Sequence, residues 1–240
     1  MAKEGFDFEN IKTPHLIIVE DKIIKWLVSG LIKKINGNYN IIEEANEEDK
    51  EKNKNINYVE NDKKDICCGI YTINGRDKIK IIPGTTGFDN LKSILLIVDN
   101  DAKAEIENFS KKLQEREKEL NRVYYCRHCL IPSKSGDGKE IEDYIFNKLK
   151  NSDRVKFEEI GNFINFFINK FQLNISCPPK RINKRILNIL VYIESKNLRD
   201  LEEDKRKYVE NTINNIAEEE EVFAELKNFF IYTQRLNFTI

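Results

Sequence analysis

Two short apolar runs, Leu16–Val19 and Ile94–Val98, each stop abruptly on carboxylates: Glu20 in the first case, Asp99-Asn100-Asp101 in the second. Runs this short, rich in branched side chains, have the pattern of strands buried on both faces. Helical spacing follows each of them. After the first, Ile23, Ile24, Leu27, Leu31, Ile32 and Ile35 share one side and end near the stop signal Asn36-Gly37. After the second, Ala102–Asn121 carries Ile106, Phe109, Leu113 and Leu120 along one face. A strand leading into a helix, twice over, predicts an α/β fold with a mostly parallel central sheet flanked by helices.

The remaining pattern extends that core. Ile66–Ile73, Asn74-Gly75 and Lys78–Ile82 are spaced as a hairpin, because Asn-Gly suits a type I′ turn. Pro83-Gly84-Thr85-Thr86-Gly87 is a loop, and Val123–Ile131 is the next strand. Ser133–Gly138 is turn-rich, and Lys139–Lys150 spaces Ile141, Tyr144, Ile145 and Leu149 as a helix. From about residue 154 the spacing is helical only, over Phe157–Phe171, Ile182–Lys196 and Val222–Thr233. The expected organisation is an α/β domain over residues 1–150 and a helical C-terminal lobe over 151–240 packed on it. Residues 44–65 are almost wholly polar and lack periodicity, which predicts a flexible insertion.

Apolar residues make up 40% of the chain, enough for a core, but no run approaches the roughly 20 residues that cross a bilayer. Met1–Asn10 holds four charges and no apolar stretch, so the expectation is a cytoplasmic protein without a signal peptide and without a membrane partner. Forty basic residues against 41 acidic ones leave nucleic-acid binding open, since a local patch decides it. Five cysteines in such a chain read as reduced thiols. Cys126-Arg-His-Cys129 has metal-ligand spacing, yet no second pair completes a four-ligand zinc site. The same residues fit a strand, in which side chains three apart point to opposite faces.

Ligands of open α/β sheets sit outside the carboxyl ends of the strands. If the strands ending in Glu20 and Asp99 are parallel neighbours, their carboxylates meet at one edge, with Asp101 two residues on and pointing the same way. Three converging carboxylates repel one another unless a cation neutralises them. Hard oxygen donors suit Mg²⁺ or Mn²⁺, which keep water positions for substrate oxygens. Taken singly, Asp99 or Asp101 could equally cap the helix beginning near Ala102; for the three together, metal binding is the better account.

A Glu closing the first strand, a helix, a Gly-containing loop and a strand ending Asp-x-Asp resemble the TOPRIM pattern. The segments are HLIIVEDKII (15–24), IIPGTTGFDNLKS (81–93) and LLIVDNDAKAE (95–105). The resemblance implies acid–base chemistry or metal binding at Glu20, and metal binding at Asp99 and Asp101. Over residues 14–195 the chain is most similar to small stand-alone TOPRIM-like proteins related to OLD-family nucleases. On that likeness CLIPSKSGDGKEIEDYIF (129–146) supplies Glu142 to a second metal site, with Asp143 beside it. Helix-dipole complementation accounts for Glu142 equally well, and for Asp143 better. One position departs: Ile24 stands where nucleases of this class often carry a second acid.

The same likeness matches KRINKRILNILVYIE (180–194) to a helix that opens with a basic stretch and a lysine, here Lys184. Lys180, Arg181, Lys184 and Arg185 share a helix face that is either simply solvated or able to hold phosphates, with Lys184 offsetting charge on the reacting phosphate. Gly84 and Gly87 offer a close backbone approach to a phosphate. The expected activity is Mg²⁺- or Mn²⁺-dependent hydrolysis of phosphodiester bonds in RNA or DNA, in defence or RNA processing. The alternative is a catalytically weak nucleic-acid-binding module in a larger, ATPase-containing assembly. A partner ATPase or a homodimer is compatible with either.

Overall fold

Asp21 makes the reversal from the first strand into the first helix. Its backbone is extended, and its side chain accepts the Ile24 N–H at 2.9 Å, satisfying one of the orphan donors of the first turn. In the computed structural model this joins β1 (His15–Val19) to α1 (Lys22–Ile35), which ends at Asn36 as its sequence predicts. The structure describes residues 8–43, 56–132, 140–149, 151–170, 186–189 and 201–237.

Four of the remaining strands are β2 (Asn40–Glu43), β3 (Ile56–Glu60), β4 (Ile66–Thr72) and β5 (Ser93–Asp99), and β6 spans Tyr125–Ile131. They form a mixed six-stranded sheet in the order β2-β3-β4-β1-β5-β6. Its centre is parallel: β1 pairs with β4 on one side and β5 on the other, in register from His15↔Ser93 to Val19↔Ile97. β2 and β3 add an antiparallel margin. The whole is an α/β arrangement with helices against the sheet.

Alternation sorts the central side chains into two faces. Leu16, Ile18, Ile94, Leu96 and Val98 pack with Ile106, Phe109 and Leu113 of α2 (Lys103–Leu120). The other face meets α1 and α6 (Glu221–Asn237), whose Phe223, Leu226, Phe229 and Phe230 are buried. Tyr39 stacks on Phe230, and its hydroxyl accepts from Gln234 at 2.8 Å, tying α6 down.

The chain divides into two compact units, residues 1–130 with 218–240, and residues 131–217. The boundary therefore falls at 130/131 rather than at 150, and α6 belongs to the α/β unit rather than to a separate helical lobe. The second unit holds α3 (Ile141–Lys148), α4 (Asn151–Lys170), a short helical stretch at 186–189 and α5 (Leu201–Ile213). Its core joins Leu149, Ile186, Leu187 and Tyr208, and Gly161 of α4 lets Ile186 approach: a Cβ there would lie 3.1 Å from its Cδ1.

Two further expectations are corrected. Residues 56–65 are not a flexible insertion: Ile56, Tyr58 and Val59 are buried in β3, and Asn61 organises the turn into β4 by accepting the Lys63 and Asp65 N–H groups at 2.9 Å. Residues 44–55 of that insertion lie outside the described residues. Nor does Asn74-Gly75 join a hairpin. Arg76–Gly84 is a 3₁₀ segment, because Ile79 and Ile82, three apart, enter the core against α2. Among the described residues, no helix is long and apolar enough to cross a membrane.

Candidate acidic site at the carboxyl edge

The edge is built by the pairing of β1 with β5. Because Val19 lies opposite Ile97, Glu20 emerges beside the end of β5, and its Oε2 accepts the Asp99 N–H at 3.2 Å. On the other flank β4 runs past the end of β1: the Ile73 N–H reaches the Val19 carbonyl at 3.0 Å and the Gly75 N–H the Glu20 carbonyl at 3.2 Å. Gly75 takes φ +128°, in the region that favours glycine, and the turn delivers Arg76 to the same edge. There the Arg76 guanidinium donates to Asp101 at 2.5 Å.

Neither Asp99 nor Asp101 caps a helix. The turn Asn100–Ala102 receives no side-chain bond from Asp99, and the N-cap position of α2 is Ala102. Neither carboxylate is thus held by an N-cap hydrogen bond. Burial pushes the Glu20 carboxyl from its ordinary 4.5 up to about 7; the Asp99 N–H opposes this, Asp21 and Asp101 add to it, and Arg76 offsets it. A carboxyl poised near neutrality can exchange a proton with a substrate or be ionised by a cation.

As a metal site the edge fits in part. Glu20 lies directly against the Asp99 backbone and all the donors are hard oxygens, which suits Mg²⁺ or Mn²⁺. Asp101 is engaged by Arg76, and among the described residues no three acidic, His or Cys side chains converge on one point. That ion pair is well exposed, with side chains 46% and 35% accessible, so exchanging the guanidinium for a metal ion costs little.

The other expected residues fall elsewhere. Glu142 lies buried in the first turn of α3, in the second unit. Beside it, Asp143 accepts the Glu140 N–H at 3.2 Å, which gives it a capping role. Lys180, Arg181, Lys184 and Arg185 lie outside the described residues; the helical residues directly after them, Ile186 and Leu187, are buried. Gly87 takes φ +74°, and a Cβ there would stand 2.3 Å from the Glu9 amide nitrogen. The close approach at Gly87 is therefore made by the chain's own residues 8–9. Gly84 is exposed, with nothing near its missing Cβ.

Cys126 packs on the α2 side of the sheet, whereas Cys129 lies near Glu221 and Glu225 of α6. Burial first, and Glu117 second, raise the Cys126 thiol to about 12, and burial raises Cys129 further. A buried His15–Ser93 pair, 2.7 Å apart, sits at the opposite edge of the sheet, where the amino ends of β1 and β5 meet. Both side chains are at most 2% accessible, so a substrate cannot reach them.

Arg76 is a residue of this edge that the sequence reading misses. The available signal is electrostatic: three acids at one edge require counter-charge, and Arg76 is the first basic residue after the Asn-Gly turn. Compared with known proteins, the chain matches no family model, no curated protein and no solved structure.

Proposed function

We propose that this chain is a Mg²⁺- or Mn²⁺-dependent nuclease of TOPRIM-like type, hydrolysing phosphodiester bonds in RNA or DNA. What supports the reading is one observation: β1 and β5 are parallel neighbours, so the Glu20 carboxylate meets the Asp99 backbone at the carboxyl edge. Asp99 and Asp101 would hold the metal, and Glu20 would either join them or act in acid–base chemistry. Bound there, a divalent ion supplies Lewis acidity and an acidified water. In the acid–base role, Glu20 would accept the proton of the attacking water. Lys184 offsets charge on the phosphate oxygens, and Lys180, Arg181 and Arg185 hold neighbouring phosphates. A cytoplasmic setting, and a role in defence or RNA processing, go with this reading.

The test is incubation with Mn²⁺ or Mg²⁺ and labelled RNA and DNA. Wild type is expected to cleave. Glu20→Gln and Asp99→Asn should slow cleavage by at least about a hundredfold, and so should Lys184→Ala, in keeping with the loss of one transition-state contact. Absence of turnover by wild type under all these conditions overturns the proposal. It would favour the second reading, a binding module controlled within an ATPase-containing assembly.

A further inference from the structure

A groove runs between α2 and β6, with Lys103 at one end. Its mouth is set by connectivity, since Lys103 begins α2 only two residues after Asp101. β6 starts beside the start of β5, with the Tyr125 N–H on the Lys92 carbonyl at 3.2 Å, and runs alongside it, so Leu130 lies towards the same end. The groove consists of a cavity of about 470 Å³ at the Lys103 and Leu130 end and a second of about 230 Å³ towards Tyr124 and Gln114, both lined by Ile106, Ser110 and His128. The larger cavity alone lies within the roughly 300–1,000 Å³ typical of ligand sites.

The lining has a consistent division of labour. Lys103 and Lys111 are exposed and stand eight residues apart, about two turns, on one side of α2. The exposed His128 ring faces them from β6, while Ile106 and Leu130 form an apolar floor. Glu107 lies between the two lysines and is the acid of the larger cavity; Glu117, in the smaller one, already accepts the Tyr124 N–H at 2.8 Å. Cations spaced along a wall, an aromatic platform and an apolar floor are what a single nucleic-acid strand requires for its phosphates and bases. From Lys103 to Gln114 the wall rises about 16 Å at 1.5 Å per residue, the length of roughly four or five stacked nucleotides at 3.4 Å each. A duplex keeps its bases paired inside and offers none of them to the apolar floor.

We infer that the α2/β6 groove binds a single strand of nucleic acid and leads its phosphodiester chain to the Glu20–Asp99 edge. The inference rests on the nuclease reading for the direction of travel, but binding in the groove does not depend on turnover. Fluorescence anisotropy with labelled twelve-nucleotide single strands and a matched duplex, in EDTA, therefore separates the two. Wild type binds the single strand and prefers it to duplex. Lys103→Glu/Lys111→Glu weakens binding by roughly tenfold or more and makes the salt dependence shallower by about two phosphate contacts. His128→Ala weakens it by roughly tenfold through lost stacking. The same melting temperature for each variant as for wild type confirms that folding is intact. Unchanged affinity in these variants, equal affinity for duplex, or no binding by wild type overturns the inference. Groove-dependent binding without cleavage in Mn²⁺ refutes the nuclease reading and leaves the groove assigned.

Discussion

Burial draws the Glu20 carboxyl towards its neutral form, while the role proposed for it requires the charged one. Its affinity for a proton is raised from 4.5 to about 7 in the folded chain. Below pH 4.5 the group is protonated folded or unfolded, so the perturbation costs nothing. From 4.5 to about 7 the unfolded chain releases the proton and the folded chain keeps it, so stability falls as pH rises through this window. Glu20→Gln removes the titration: thermal melts from pH 4 to 8 should show the variant gaining on wild type up to about pH 7. At pH 8, millimolar Mg²⁺ should raise the melting temperature of wild type more than that of Glu20→Gln. Parallel pH profiles would show that Glu20 titrates normally. Thr72 provides a second case, in β4 beside the end of β1. Its hydroxyl is buried without a hydrogen-bond partner among the described residues. Thr72→Val should therefore stabilise the chain by about 1 kcal/mol, because it removes an unsatisfied polar group and keeps the shape. A loss of stability in urea unfolding would show that the hydroxyl has a partner.

Among the elements, the connection from β4 to β5 departs furthest from its sequence pattern. Asn-Gly between two apolar runs is the local signature of a hairpin, but β4 is already flanked by β1 and β3, so no edge is left for a returning strand. The chain instead crosses the sheet face as a 3₁₀ segment and makes a sharp turn at Gly87. Gly87→Ala should cost about 2 kcal/mol or more: about 1 for a left-handed backbone, and more for displacing residues 8–9, whose backbone lies under 3 Å from the new Cβ. Urea midpoints within error of wild type would mean that residues 8–9 do not hold their place. The parallel centre was legible because β1 and β5 are continuous apolar runs. β3 was not, since Asn57 and Glu60 interrupt it and its pairing to β4 is settled by tertiary contacts. The acids of the site could be read from their positions at strand ends. The groove could not, because its two walls become neighbours only when β6 takes its place beside β5.

The whole molecule is organised by a contact that its linear order conceals. Val222–Thr233 has the same helical spacing as the segments before it, and nothing local says which body it joins. The structure assigns α6 to the α/β unit, where Phe229 is 1% accessible, Arg127 of β6 grips Glu225 at 2.6 Å, and Tyr125 stacks on Tyr232 with ring centroids 3.6 Å apart. Residues 221–237 thus share a core with the strands of the α/β unit, far before them in the chain. The single tryptophan, Trp26 in α1, reports on this unit. Phe229→Ala removes a fully buried ring from a packed face, a change that typically costs about 3–5 kcal/mol. The Trp26 fluorescence transition in urea should shift to lower denaturant by that amount. The exposed Phe163 of α4, in the other unit, provides the control: Phe163→Ala should leave the Trp26 transition within about 0.5 kcal/mol of wild type. Were α6 part of a separate helical lobe, Phe229→Ala would leave the Trp26 transition in place, and that result would refute the assignment of α6 to this unit.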